Sequence, residues 1–272
     1  ERPRALGKIS AAFGLGFVLG PAVGGYLAGG ASLAQANLVR PALAAALLSG
    51  LALVAIVLFL PETHRGMPAA GRRRRPFAGF SRVLGEAVMA RILLLALIVI
   101  TFMAVRESIF ALWANARLNL NAQQLGIAFA WTGIIVAVAQ FVLVAPAVRA
   151  LGELAVARLA IVLFALSWGL LTLADGQGVL LIALAIGALG TAFFQTTLQT
   201  LLSKRAAASE RGLVMGVYQS ASSLARFAGQ AGSGTIYGQF GTNAPFYFGI
   251  VAMLPAFLLA TLLGRRLARE SR

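Results

Sequence analysis

Gly16-Phe17-Val18-Leu19-Gly20-Pro21-Ala22-Val23-Gly24-Gly25 is the stretch that narrows the fold. It ends an apolar run of membrane-spanning length and places four glycines and a proline within ten residues. In water each Gly would cost a helix about 1 kcal/mol and the Pro about 3 kcal/mol. In a bilayer, small residues four apart let helix backbones approach, and neighbouring helices re-satisfy the groups that Pro disrupts. A helix written this way expects a partner pressed against it.

The rest of the chain agrees that the solvent is lipid. Mean hydropathy is +0.87. Of the 272 residues 60% are hydrophobic and 11% charged, where a soluble domain carries about 25% charged. That composition cannot cover a soluble fold with polar surface. Cysteine is absent, which excludes disulfides and thiolate metal sites. His64 has no second ligand nearby in sequence, so neither a metal site nor a cofactor is expected.

A spanning helix needs about 20 mostly apolar residues. The pattern predicts eight, at 9–28, 41–60, 92–113, 125–147, 156–173, 179–202, 213–237 and 246–263. Of the 23 basic residues, 19 fall in alternate connections: the N-terminus, 61–91, 148–158, 203–212 and the tail from Gly264. The intervening loops hold only Arg40 and Arg117. The positive-inside rule then places both termini and the 61–91 loop in the cytoplasm, with the chain multi-pass in the plasma (inner) membrane. Within that loop, Arg72-Arg73-Arg74-Arg75 suits topology and anionic lipid headgroups, and one short run predicts no nucleic-acid partner.

Shifted by 209 residues, the chain's beginning falls on its end without a gap. Glu1-Arg2 lies over Glu210-Arg211, Gly7 over Gly216, Gly20 over Gly229 and Gly25 over Gly234. An even number of spans separates the copies, so they run parallel through the membrane. With that repeat on the page, Gly16-x-x-x-Gly20-Pro21-x-x-Gly24-Gly25 resembles the fifth-helix antiporter motif of the major facilitator superfamily, found in its proton-coupled drug exporters. Leu60-Pro61-Glu62-Thr63 is similar to the exit from that family's sixth helix, and Arg149-Ala-Leu-Gly152-Glu153 looks like a worn copy of its basic loop motif. The stretch from Phe110 to Ala147, with Gln123-Gln124-Leu125-Gly126, resembles the tetracycline-efflux branch.

The resemblance implies an all-α transmembrane chain with an incomplete major facilitator fold, its eight spans being family helices five to twelve. Residues 1–60 would be the last two helices of the N-terminal bundle and 61–91 the basic central loop. A six-helix C-terminal bundle would follow at 92–264, then a basic tail at 265–272. The partners implied are membrane lipids, a small amphipathic substrate, protons, and four missing N-terminal helices without which this fragment would not transport.

Charges inside spans are costly and usually face a cavity. Arg106-Glu107 and Arg226 are the embedded charges, and Glu107 is expected to pair with Arg226 or with Arg106. The pair either couples proton entry to substrate exit or serves as a structural or gating ion pair. Gln195 and Gln199 share one helix face, with Gln219 on the next helix and Gln140 alone in an earlier one. With Trp131 and Phe194 they are candidates for a substrate cavity, against the plainer role of interhelical hydrogen bonding. Trp113 reads as an interfacial anchor. Gly16, Gly20, Pro21, Gly24 and Gly25 form a candidate hinge or seal, and Arg149, Gly152 and Glu153 the loop motif.

The function implied is secondary active transport, a proton-coupled efflux of drugs by alternating access. Alternatives are an uptake or metabolite carrier of the same superfamily, or a half-size membrane partner protein that transports nothing. An intramembrane enzyme would need paired carboxylates, and Glu107 is the only embedded acid, so no catalytic residue is expected.

Overall fold

The structure, a computed structural model, describes residues 16, 18–30, 35–59, 83–207 and 210–270, with side chains as far as 266. The Pro61-Glu62-Thr63 motif, His64, the four-arginine run and most of the central loop lie outside the described residues. The described residues form eight principal helices: α1 (Val18–Ala28), α2 (Val39–Phe59), α3 (Ala87–Leu118), α4 (Ala122–Leu151), α5 (Glu153–Thr172), α6 (Gln177–Arg205), α7 (Arg211–Phe240) and α8 (Ala244–Glu270). The chain is all-helical, as the sequence predicts.

Several helices outrun the apolar core that announces them. Helix α3 has 32 residues where the pattern predicts 92–113. It continues through Arg117 until Asn119 adopts a left-handed conformation, φ 52°, and its N–H caps the carbonyls of Ala114 and Asn115. Helix α4 starts on a capping box, with the Asn121 side chain accepting from Gln124 N–H at 2.9 Å and Gln124 accepting from Asn121 N–H at 3.0 Å. Six helices (α2, α3, α4, α5, α6 and α8) are long and apolar enough to cross a membrane. Helix α7 has the length, at 30 residues, without the hydropathy. Gln219, Ser220, Ser223, Arg226 and Gln230 occupy positions that would otherwise be aliphatic. Its buried positions (Val214, Val217, Tyr218, Ala221, Ser222, Ala225, Gly229 and Ser233) repeat at three- and four-residue steps along one face.

The core lies in α3 to α8. Helix α5 packs on α6, α3 on α7 and α8, α8 on α5, and α4 on α6. Exchanging the triplet α3–α4–α5 with the triplet α6–α7–α8 maps this set of contacts onto itself. Helices α3 and α6 enter from opposite sides, so the triplets are inverted repeats, which nest within each half of major facilitator proteins. Helix α2 contributes no buried residue. Helix α1 touches α4, and Ala28 is its one buried hydrophobic residue.

Trp113 corrects the sequence reading. It is fully buried, stands edge-on to Phe246 at 5.1 Å, and donates its indole N–H to Asn243 Oδ1 at 2.8 Å. The α7–α8 turn supplies that acceptor, and sequence position alone gives no hint of it. Trp168 is also core, stacked on Phe164 and covered by Gly249, where any side chain would strike the indole.

Candidate functional site in the helix bundle

The seam between α3 and α7 is built around Gly229. A Cβ there would run into the Thr101 carbonyl oxygen and come within 3.1 Å of the Ala104 methyl. The backbones therefore approach closely, and polar side chains of α7 on either side of Gly229 pair with the next turn of α3. One turn further along, the Ser233 and Ser108 hydroxyls are 3.0 Å apart in a hydrogen bond. One turn back, Arg226 Nη1 donates to Glu107 Oε2 at 3.2 Å. Of the two partners the sequence allowed for Glu107, the fold selects Arg226. Both side chains keep an exposed portion, 41% for Arg226 and 36% for Glu107, so the pair borders open space. Arg106 is half-buried and has no hydrogen-bond partner among the described residues.

The glutamines sit at another level. Measured at 1.5 Å per residue, Gln140 lies about 27 Å from the start of α4 and Gln195 about 27 Å from the start of α6. Gln199 is about 33 Å along α6, and Gln219 about 31 Å back from the end of α7. Gln195 is half-buried, while Gln140, Gln199 and Gln219 are exposed. None of the four side-chain amides has a partner among the described residues. Trp131 stands apart, nearer the opposite ends of the helices, where its indole N–H donates to the Leu181 carbonyl at 3.2 Å. Beside it, Leu120, Gln124, Ile127, Gln177 and Leu181 help line a half-open cleft of about 130 Å³ between α4 and α6. Phe194 does not line a cavity. It is fully buried, edge-on to Phe164 at 6.0 Å, because that face of α6 is covered by α5.

Helix α1 meets α4 through Gly25, whose Cβ would lie 2.6 Å from the Ala122 carbonyl oxygen and 2.8 Å from Gly126 Cα. A Cβ on Gly126 would meet the Pro21 carbonyl oxygen at 2.6 Å. The close approach is thus made by the Pro21–Gly25 face, whereas Gly16, Gly20 and Gly24 have nothing within 4 Å of a Cβ. Of the candidate string Gly16, Gly20, Pro21, Gly24 and Gly25, only Pro21 and Gly25 meet α4. Gly126 was visible only as part of a family-like string.

At the basic end, Gly152 with φ 80° turns α4 into α5. Arg149 is exposed, and Glu153 pairs with Lys204 at the end of α6. The adjacent Arg205 reaches Glu86, just before α3, at 3.6 Å. Among the described residues no group of three or more His, Cys, Asp or Glu side chains is placed to hold a metal.

Inverted triplets, long apolar helices and a glycine-sealed contact with a further helix mark a multi-pass helical membrane protein. The chain belongs to the Major Facilitator Superfamily, whose family profile matches residues 107–272. It is 29% identical to multidrug resistance protein 1 of Bacillus subtilis over 253 residues, covering 93% of this chain and 62% of that protein. It is also 29% identical to the class C tetracycline resistance protein of Escherichia coli, covering 84% of this chain and 57% of that protein. The human organic anion transporter MFSD10 (TETRAN) shares the fold, with a TM-score of 0.70 and 24% identity over 92% of this chain and 61% of that one. The chain spans about three-fifths of the length of these relatives. Superfamily membership also sets it among transporters rather than enzymes.

Proposed function

We propose that this chain belongs to a proton-coupled efflux transporter for small amphipathic molecules, working by alternating access in the plasma membrane with both chain ends cytoplasmic. The observation that carries the reading is the Glu107–Arg226 pair, an acid and a base held together inside the spans yet bordering open space. Protonating Glu107 would cancel the charge attraction, leave at most a neutral hydrogen bond, and weaken the tie between α3 and α7 at that point. The unpartnered amides of Gln140, Gln195, Gln199 and Gln219 would meet the polar groups of a substrate at the next level. The relatives named for multidrug and tetracycline resistance support export over uptake.

The reading includes a second bundle, in which this chain supplies only two helices. Its support is the internal repeat. Gly229 is filled by α3 while its repeat partner Gly20 is open; Gly25 is filled by α4 while its partner Gly234 is open. In both pairs the open glycine matches a filled one, as expected if further helices of the same protein complete the pattern. The proposed units are 1–60 in the first bundle, the 61–91 loop, the 92–264 bundle and the tail.

The test is drug accumulation in inverted vesicles carrying the transporter with its complete set of helices. An imposed pH gradient should drive uptake of a tetracycline or a cationic dye. Glu107→Gln should abolish the response to the gradient while leaving exchange of labelled for unlabelled substrate. Gradient-driven uptake unchanged in Glu107→Gln sinks the coupling role, and no transport of any amphipathic probe sinks the efflux reading.

A further inference from the structure

Charges at the basic end of the bundle are unevenly matched. Glu153 is paired with Lys204 and Glu86 with Arg205, so the end of α6 carries its bases in ion pairs. Around the end of α8 the balance differs. Arg265 and Arg266 are exposed, Arg158 of α5 is half-buried, and none of the three has an acidic partner among the described residues.

Two contacts bring these arginines to one seam. Gly249 of α8 lies against Trp168 of α5, and a Cβ on Gly264 would lie 3.9 Å from the Leu154 side chain. Gly249 and Gly264 are fifteen residues apart and Leu154 and Trp168 fourteen, so the antiparallel helices keep one register to the basic end. Arg158 stands one turn beyond Leu154, and its Nε donates to the Leu154 carbonyl at 3.4 Å. That bond draws the guanidinium back to the level of Gly264, which Arg265 and Arg266 directly follow. Away from the arginines, both helices present apolar stripes at four-residue steps. Val162 and Leu166 form one on α5, and Leu262, Leu258 and Leu254 one on α8, all between 49% and 64% exposed. Leu254 to Arg265 is eleven residues, about 16 Å of helix, against about 15 Å for half of a hydrocarbon core. The α8 stripe thus runs the depth of one leaflet and ends in guanidinium groups.

We propose that the basic end of the α5–α8 seam binds an anionic phospholipid, its headgroup phosphate held by Arg158, Arg265 and Arg266 and its acyl chains lying along the two stripes. A phosphate offers acceptor oxygens to more than one guanidinium fork, and basic pockets between spans dock anionic headgroups. A zwitterionic lipid brings its own cation to the same place and loses much of the attraction. A soluble phosphate ester has the charge but nothing to lay along the stripes. The site stands on the contacts of α5 and α8 alone and does not depend on what is transported.

The chain has no cysteine, so Leu262→Cys carries a single fluorophore beside the site. The chain is placed in phosphatidylcholine nanodiscs with a trace of nitroxide-labelled lipid, either phosphatidylglycerol or phosphatidylcholine. Each labelled lipid quenches the fluorophore in proportion to its local share. Phosphatidylglycerol should show a local share at least about fivefold higher, the effect of one arginine near an anionic lipid. That preference should vanish when Arg265→Gln and Arg266→Gln are combined, and weaken in Arg158→Gln. It should be unchanged in Arg149→Gln, which removes an exposed arginine of α4 from the same end. Equal quenching by the two lipids overturns the site. So does a preference that Arg149→Gln lowers as much as the double variant does, because the arginines would then act only through a general surface potential. Loss of the preference on adding soluble glycerol phosphate also overturns it, since the pocket would then be one for free phosphate esters.

Discussion

Glycines of this chain divide into those that touch and those that do not, and the difference is measurable. Gly229 faces the Thr101 carbonyl with no room for a methyl, while Gly234 on the same helix faces open space. Gly229→Ala should destabilise the bundle by about 1–3 kcal/mol through overpacking against backbone, and Gly234→Ala should leave it nearly unchanged. Thermal unfolding of the purified chain, followed by emission from the buried Trp113 and Trp168, reads the contrast directly. Equal effects at the two sites would mean that α7 does not sit on α3 as described. At this scale the sequence singles residues out but does not say what they touch. Arg106, Glu107 and Arg226 announce themselves because charge inside a span is rare. Trp113 misleads because an indole near a span's end suits an interface equally well, until a fold supplies Asn243.

Among elements, α1 and α4 show how a motif becomes a contact. The Gly-Pro string is legible as a close-packing helix, but the partner and the face are not, since every fourth residue in it is small. A bulky residue at Gly126 would strike Pro21 and Gly25 from the other side. Gly126→Leu should therefore free α1 without disturbing the core of α3 to α8. A spin label at Tyr26, which is 72% exposed, should gain mobility in that variant, with the thermal midpoint of the bundle unchanged. An immobile label would show that α1 is held by something other than α4. The π-turn of α4 at Ala139–Leu143 belongs to the same scale. Apart from Gln140 the stretch 139–143 is apolar, and Pro146 is the sequence's hint of a bend.

For the whole molecule, the described core lies between Val83 and Leu263, and neither α2 nor its exposed leucines and valines add to it. A chain trimmed to 83–272 should insert and unfold at nearly the same temperature as the full 272 residues, by the same tryptophan signal. A large loss of stability would mean that α1 and α2 carry packing beyond the Gly25–Gly126 contact. The Glu107–Arg226 pair should contribute little here. With both side chains more than a third exposed, it is worth up to about 1 kcal/mol, which fits a role in transport better than one in holding the fold.

Composition, span length and alternating charge determined by themselves that this is a multi-pass helical membrane protein. Those properties follow from the bilayer, which acts on every residue according to its own chemistry. The 209-residue repeat and the glycine string added the superfamily, because parallel halves and close helix contacts leave periodic traces in one dimension. Only the tertiary structure decided that Glu107 meets Arg226, that Phe194 and Trp113 are core, that Gly25 rather than Gly20 carries the contact with α4, and that α4 steps at Ala139. Each of these depends on which face of one helix another helix covers. That is set by packing between segments scores of residues apart, and no local pattern encodes it.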